Sequence, residues 1–348
     1  MILQRWKRRP DGSNWGDFGP DDAVGRLNLL TPERVLAAVQ EVRTGISFCL
    51  SLPLDLPGGN VANPRRHPPK LVATVQDGVP VYNRSGSQAA GFASTGVVSD
   101  DAVLLYTQYS TQWDSFAHIG AAFDADDDGQ DEIVYYNGWR AGETVVSPIE
   151  NPHAEPWARF ENPNAHELGV DRLAETCIQG RGVLVDLHAL FGRERHFVGY
   201  DDLMRAMDAA STVVETGDIL LLYTGYDQVI LEMAGHPKRE VLHGTCAGLD
   251  GCDDRLLQWI TDSGVAAIAS DNRAVELLPG RCVETKGLSA PLHHHCLFKL
   301  GIPLGEQWFL RDLANWLRQH GRTRFFLTAP PLRLPGAVGS PVTPVATV

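Results

Sequence analysis

Short apolar runs bounded by glycine and aspartate dominate the second half of the chain. Gly182 to Leu187, Asp218 to Tyr223 and Val265 to Ala269 each stay apolar over the length of a buried strand, and Ala102 to Tyr106 reads the same way nearer the amino terminus. Between them the spacing turns helical: Tyr200 to Ala210, Asp253 to Ser263, and Gln307 to His320, where Trp308, Leu310, Leu313 and Leu317 form one stripe. Further upstream, Thr31-Pro32-Glu33 follows Leu29-Leu30 and predicts a helix capped by Thr31, with Pro32 in its first turn, running to about Val42. Strands alternating with helices predict a mixed α/β core.

No repeat and no low-complexity tract interrupts this pattern. Residues 53–69 and 330–344 are proline-rich and read either as linkers or as ordered loops bordering a site; for the second stretch the ordered loop is expected. With 348 residues the chain suffices for one elaborate domain or two ordinary ones. Hydrophobic residues at 43% and charged residues at 21% are globular values. No window approaches the roughly 18 to 20 apolar residues of a membrane helix, so a soluble protein with no membrane partner is expected. The basic start, Met1 to Pro10, is not followed by an apolar stretch, and a cytoplasmic location is expected. Six cysteines, at positions 49, 177, 246, 252, 282 and 296, form no Cys-x-x-Cys pair and are expected to be reduced and mostly buried. A formal net charge of −13 repels phosphate backbones, which argues against a nucleic-acid partner and says little about a small-molecule substrate.

Two clusters carry candidate chemistry. In the segment Gln108 to His118, a strand continuing from Ala102 would place Gln108, Ser110, Gln112 and Asp114 on one face. Such a face can simply meet solvent, but Tyr109, Trp113 and Phe116 favour an enclosed one. The second cluster is His293-His294-His295, followed by Glu306. Imidazole and carboxylate are the donors that zinc or manganese takes when a position must stay open for water. Three consecutive histidines cannot all face one ion, because successive residues diverge by about 100° on a helix and alternate on a strand. A helix start with one capped or core histidine is the competing reading.

Other signals are weaker. Asp124-Ala125-Asp126-Asp127-Asp128-Gly129 copies half of an EF-hand loop, but Tyr135 stands where a bidentate glutamate is needed, and a solvated acidic loop is expected. Gly180-Arg181-Gly182 precedes a strand and gives no dinucleotide fingerprint. His236 and His243 flank a basic loop and read as surface residues. Asp271 follows an apolar strand, where it supports a site or caps a turn.

Taken in order, several segments resemble the metal-dependent cyclases and amidohydrolases that include bacterial kynurenine formamidase and isatin hydrolase. They are Gly19 to Asp22 with Leu27 to Glu33, Thr111 to His118, Gly217 to Leu221, Ser270-Asp271-Asn272 with Ala274-Val275-Glu276, His294 to Glu306, and Pro331-Leu332 with Gly336 to Val342. The resemblance covers nearly the whole sequence. The family signature His-x-Gly-Thr-His-x-Asp-x-Pro-x-His falls on Gln108, Ser110, Thr111, Gln112, Asp114, Phe116 and His118. Thr111, Asp114 and His118 match it, whereas Gln108 and Gln112 replace its two metal-binding histidines, a pattern similar to a longer Thr-Gln-Trp-Asp branch.

The resemblance implies a single swivelling β/β/α domain over residues 1–348, an α/β fold with a barrel-like mixed sheet and residues 1–70 packed on it as an extension. It also implies a homodimer or homotetramer. It assigns Asp114, His294 and Glu306 to one divalent ion, zinc or manganese, with Gln112 as a weak neutral ligand. His118 becomes the catalytic histidine, its alternative being a further ligand, and Gln108, Trp113 and Asp271 border the substrate or support the ligands. The implied reaction is hydrolysis of a carbon-nitrogen bond in a small aromatic amide or lactam. A cyclase or dehydratase acting on a polyketide-like or keto-acid substrate, where an enolate attacks an internal carbonyl, is the alternative. A binding protein without turnover is the third reading.

Overall fold

The apolar runs form the centre of the main sheet. The computed structural model describes residues 4–87, 94–155 and 158–348. Its main sheet contains, in chain order, β1 (Ser47–Cys49), β2 (Gln112–Asp114), β3 (Gln179–Asp186), β4 (Ile219–Tyr223), β5 (Ala267–Ser270), β6 (Leu304–Glu306), β7 (Arg324–Thr328), β8 (Gly339–Pro341) and β9 (Val345–Thr347). Their spatial order is β1-β9-β7-β3-β4-β5-β6-β2-β8, and the sheet curls into a half-barrel. The four central strands, β3 to β6, are parallel, while the pairs on either side are antiparallel. Every residue of β4 is buried, as expected of a parallel strand covered on both faces.

Helices close over this sheet. The longer ones are α1 (Pro32–Val39), α2 (Tyr200–Ala209), α3 (Tyr226–Met233), α4 (Asp254–Ser263) and α5 (Arg311–Gln319). Thr31 caps α1 by accepting from the Arg34 amide, and Asp253 caps α4 by accepting from the Arg255 and Leu256 amides. The helix expected over Gln307 to His320 begins only at Arg311, because the Trp308 amide bonds back to Ser270 and the Phe309 amide to Leu50. Leu313, Ala314 and Leu317 of α5 face the core. No helix among the described residues is long and apolar enough to cross a membrane.

Two sequence expectations need correction. Strand Ala102 to Tyr106 does not run on into Gln108: Asp101–Leu104 pairs with Lys70–Ala73 in a separate two-stranded ribbon, and a turn leads to β2. The six cysteines are not all reduced. Cys252 and Cys282 form a disulfide across a Cα separation of 5.7 Å, a contact between distant loops that spacing along the chain does not reveal. Of the free thiols Cys246 and Cys296 are buried, while Cys49 and Cys177 are exposed.

Close backbone contact fastens the amino-terminal segment. Gly25 and Gly301 both adopt positive φ, 55° and 56°, and the Arg26 amide donates to the Gly301 carbonyl at 2.8 Å. A Cβ on Gly25 would overlap Gly301, so Gly25→Ala should cost about 2 kcal/mol or more, measured as a fall in urea midpoint at constant m-value. Alkylation of the native protein followed by mass spectrometry should label Cys49 and Cys177 alone. Cys246 and Cys296 should react only after denaturation, and Cys252 and Cys282 only after reduction as well; labelling of either in unreduced, denatured protein would refute the disulfide.

Candidate metal centre

Register brings the two acids together. Strand β6 pairs antiparallel with β2 so that Leu304 lies opposite Asp114 and Glu306 opposite Gln112. Strand alternation turns Gln112, Asp114, Leu304 and Glu306 to the same side. Thr111 stitches the pair together, donating to the Gln307 carbonyl at 2.6 Å and accepting from the Leu52 amide at 3.0 Å. Trp113 points the other way. It packs edge-on against Trp308 and donates to the Ala329 carbonyl at 2.8 Å, so its expected place beside the substrate is corrected to the core.

The imidazole that joins these acids is that of His293. Asp114, His293 and Glu306 each present a ligand atom within 4.8 Å of the others, and all three are buried. His293 Nε2 lies 3.2 Å from Glu306 Oε1 and 4.0 Å from Asp114 Oδ2. The expectation of His294 is therefore corrected. The chain turns helical at Pro291–His293 and continues as a π-helix over His294–Leu300, so the three rings diverge. His294 tilts against Phe298, with ring centroids 4.9 Å apart, and burial pushes its pKa down to about 4. His295 reaches Thr261 Oγ1 at 3.0 Å.

Glu276, which carried no role in the sequence reading, decides which ring faces the acids. It is fully buried. Its carboxylate accepts from the Leu292 and His293 amides at 3.0 Å each, and lies 2.7 Å from His293 Nδ1. A carboxylate on Nδ1 orients the ring and, whenever the imidazole is neutral, keeps its proton on Nδ1 and turns the Nε2 lone pair toward the space between Asp114 and Glu306. The signal was a lone glutamate inside the apolar run Ala274-Val275-Glu276-Leu277-Leu278.

Acids outnumber bases in this volume. Burial, together with the Glu306 charge, raises the Asp114 pKa against the pull of His118 and His293. Burial also works to raise Glu306, but His293 outweighs it and holds that acid below its usual range. His293 itself, although burial opposes its charge, is lifted to about 10 by Glu276 and Glu306. Asp114 Oδ2 and Gln112 Oε1 are buried with no hydrogen-bond partner. The Asp114 and Glu306 carboxylates, the unpartnered Gln112 oxygen and an imidazole oriented by Glu276 are a donor set that a divalent ion fits, the ring giving up its Nε2 proton to it.

The remaining residues surround this group. Gln112 Nε2 donates to Asp114 Oδ1 at 3.2 Å and to Glu306 Oε2 at 3.4 Å. Gln108, although off the expected strand, still donates to Asp114, and its Nε2 lies 3.1 Å from His118 Nδ1. His118 is half-buried, 6.4 Å in ring centroid from His293, and burial lowers its pKa. Asp271 lies outside the group and takes the capping alternative: it accepts from Thr224 N and Oγ1 and from Tyr226 N, each at 2.8 Å. In the acidic loop, Asp124, Asp126 and Asp128 also converge. Asp124 there accepts from the Asp128 and Gly129 amides, and Arg8 and Arg140 pair with Asp124 and Asp126.

Comparison with known proteins places this arrangement. The sequence model of the family named Cyclase matches residues 50–277, a stretch that ends before His293 and Glu306. A crystal structure of a novel cyclase superposes with a TM-score of 0.72 at 29% identity, covering 97% of this chain and 99% of that one. Isatin hydrolase A from Labrenzia aggregata, bound to benzyl benzoate, superposes with a TM-score of 0.53 at 11% identity, over 91% of this chain and 98% of its own. Isatin hydrolase A from Ralstonia solanacearum gives 0.52 at 14% identity, over 91% and 97%. The two hydrolases share the fold. No curated protein matches the sequence.

Glu276→Gln keeps the volume but removes the charge beside His293 Nδ1 and one of the two oxygens that take the Leu292 and His293 amides. Affinity for zinc or manganese, titrated calorimetrically, should fall about 10- to 100-fold, and the thermal midpoint should fall as well because a buried backbone amide loses its acceptor. Unchanged affinity would deny Glu276 its orienting role.

Proposed function

This chain belongs to the Cyclase family, and we propose that it is a metal-dependent enzyme that attacks the carbonyl of a small amide or lactam and breaks its carbon-nitrogen bond. The observation that carries this reading is the buried group of Asp114, His293 and Glu306 with Glu276 behind the imidazole. A divalent ion held there supplies Lewis acidity toward a carbonyl oxygen and lowers the pKa of water from about 16 to roughly 7.

The chain's own residues do the rest. Asp114 is fully buried and Glu306 is 4% exposed, so bulk water is excluded from the acids and their interactions act in a low dielectric. His118 stays neutral near pH 7, since burial lowers its pKa. Its Nδ1 accepts from the Gln108 amide, which leaves the proton on Nε2, available to a departing nitrogen. Gln108 holds Asp114 through the same amide and so ties the ring to the acid.

Cyclisation with loss of water is a second reading, favoured by the 29% identity to a novel cyclase over nearly the full length of both chains. A homo-oligomer is supported by apolar residues left uncovered on the short ribbons: Leu71 is 70% exposed and Val97 67%.

The test combines elemental analysis with product mass. Protein loaded with zinc or manganese should carry one ion per chain, lost in Asp114→Asn and Glu306→Gln. Hydrolysis of N-formylkynurenine or isatin adds a water to the organic mass, whereas cyclisation of a keto-acid removes one. His118→Ala should keep the ion and lose about 10²- to 10⁴-fold in kcat. A protein that binds no ion, or binds one and turns over none of these compounds, would fit a binding protein instead.

A further inference from the structure

Beside the metal centre lies a cavity with the opposite charge. Asn60, Asn63, Arg66, Gln108, Arg273 and Gln307 line it together with Ala62 and Tyr109, and no acid does. It shares Gln108 with the acid group and lies next to Glu306 through Gln307. In a chain of net charge −13, two guanidinium groups converging on an acid-free cavity are conspicuous.

Neither arginine is spoken for. Arg66 Nη1 donates to the Gln108 carbonyl at 2.6 Å. Arg273 Nη1 donates to the Ala62 carbonyl at 3.1 Å, and its Nη2 lies 3.2 Å from His243 Nδ1. Among the described residues neither makes an ion pair, whereas other half-buried arginines such as Arg140 and Arg181 do. Both are half-buried. These three contacts leave most of the donors of both groups unused, the condition for accepting an anionic ligand.

We propose that Arg66 and Arg273 grip a carboxylate of the substrate, so that the enzyme acts on acids and selects against their neutral analogues. The planar fork of each guanidinium matches the two oxygens of a carboxylate. The amides of Asn60 and Asn63 supply neutral donors around it. Gln108 then connects the two ends of the substrate, since its backbone carbonyl holds Arg66 and its side chain holds Asp114 and His118. As folded the cavity has about 20 Å³, room for about one water, so the arginine side chains must part to admit the ligand. This assignment rests on the catalytic reading of the neighbouring acids, which is where the substrate's reacting carbonyl would lie.

Binding and turnover test it separately. Binding of benzoate, pyruvate and phthalate to the metal-free protein is measured calorimetrically, with benzamide as neutral control and inorganic phosphate in parallel. At least one carboxylate should bind more tightly than benzamide, and Arg66→Met or Arg273→Met should weaken it about 10- to 100-fold. With zinc or manganese loaded, the kcat/KM ratio of 2-formamidobenzoate to formanilide should favour the acid and fall by a similar factor in either variant. Should a Met variant unfold, Arg66→Lys and Arg273→Lys, which keep the charge but lose the fork, should retain only part of the preference. No carboxylate binding, equal binding to wild type and variants, or stronger binding of phosphate than of any carboxylate would overturn the assignment. Carboxylate binding that depends on both arginines, without turnover of either formamide, would leave it standing and sink the catalytic reading.

Discussion

One imidazole set among three buried carboxylates is the constraint that the rest of the structure serves. Asp114, Glu306 and Glu276 are each removed from water, a placement that costs several kcal/mol per charge unless a partner is supplied. His293 is that partner, with one nitrogen on Glu276 and the other facing the two strand acids. Its position is over-determined: Glu276 also takes the amides of Leu292 and His293, so the carboxylate that orients the ring fixes the helix start that presents it. The sheet contributes the other half, since the register of β6 on β2 puts Glu306 opposite Gln112 and leaves Asp114 two residues along on the same face.

That division explains what could be read from the chain. The parallel strands β3 to β5 and the helices after Thr31, Gly199 and Asp253 are local events, set by apolar run length, period and caps, and they stand where the sequence puts them to within a few residues. Asp114 and Glu306 were reached through the resemblance and not through a local period: the strand expected to carry Asp114 on from Ala102 stops at Leu104, and Glu306 was chosen by its spacing from the histidines. The choice among His293, His294 and His295 was not legible, because it depends on a glutamate some seventeen residues upstream that reaches the helix start only in the folded chain. Trp113 shows the limit of neighbourhood in sequence: one residue from Asp114, it faces the opposite side of the sheet. Gln108 shows the converse, arriving beside Asp114 through a turn and not along a strand. The Cys252–Cys282 pair likewise joins loops that no local period relates.

The arginines complete the electrostatic picture. A cluster rich in carboxylate repels an anionic substrate, and a cation at its centre removes much of that repulsion but does not by itself orient the ligand. Arg66 comes from the proline-rich stretch and Arg273 from the turn after β5, so two unrelated segments supply positive charge to one side of the acids. The proline-rich stretch is therefore an ordered loop over the site, the reading that sequence left open between loop and linker.

Gln112 carries the last step of the argument. A histidine at this position would offer a ring nitrogen of fixed direction, whereas an amide has two ends. Here its nitrogen donates to both Asp114 and Glu306 and its oxygen has no partner, a costly arrangement inside a protein. Turned over, the same amide would set three oxygens against one another, tolerable only around a cation. The side chain thus serves the acids as a hydrogen-bond donor as it stands and, turned over, would offer its oxygen to an ion without a change in backbone. Where the resembling signature has a histidine, this glutamine would therefore offer a ligand that follows the charge of the site, and an ion held there would depend more heavily on His293 and on the carboxylate behind it.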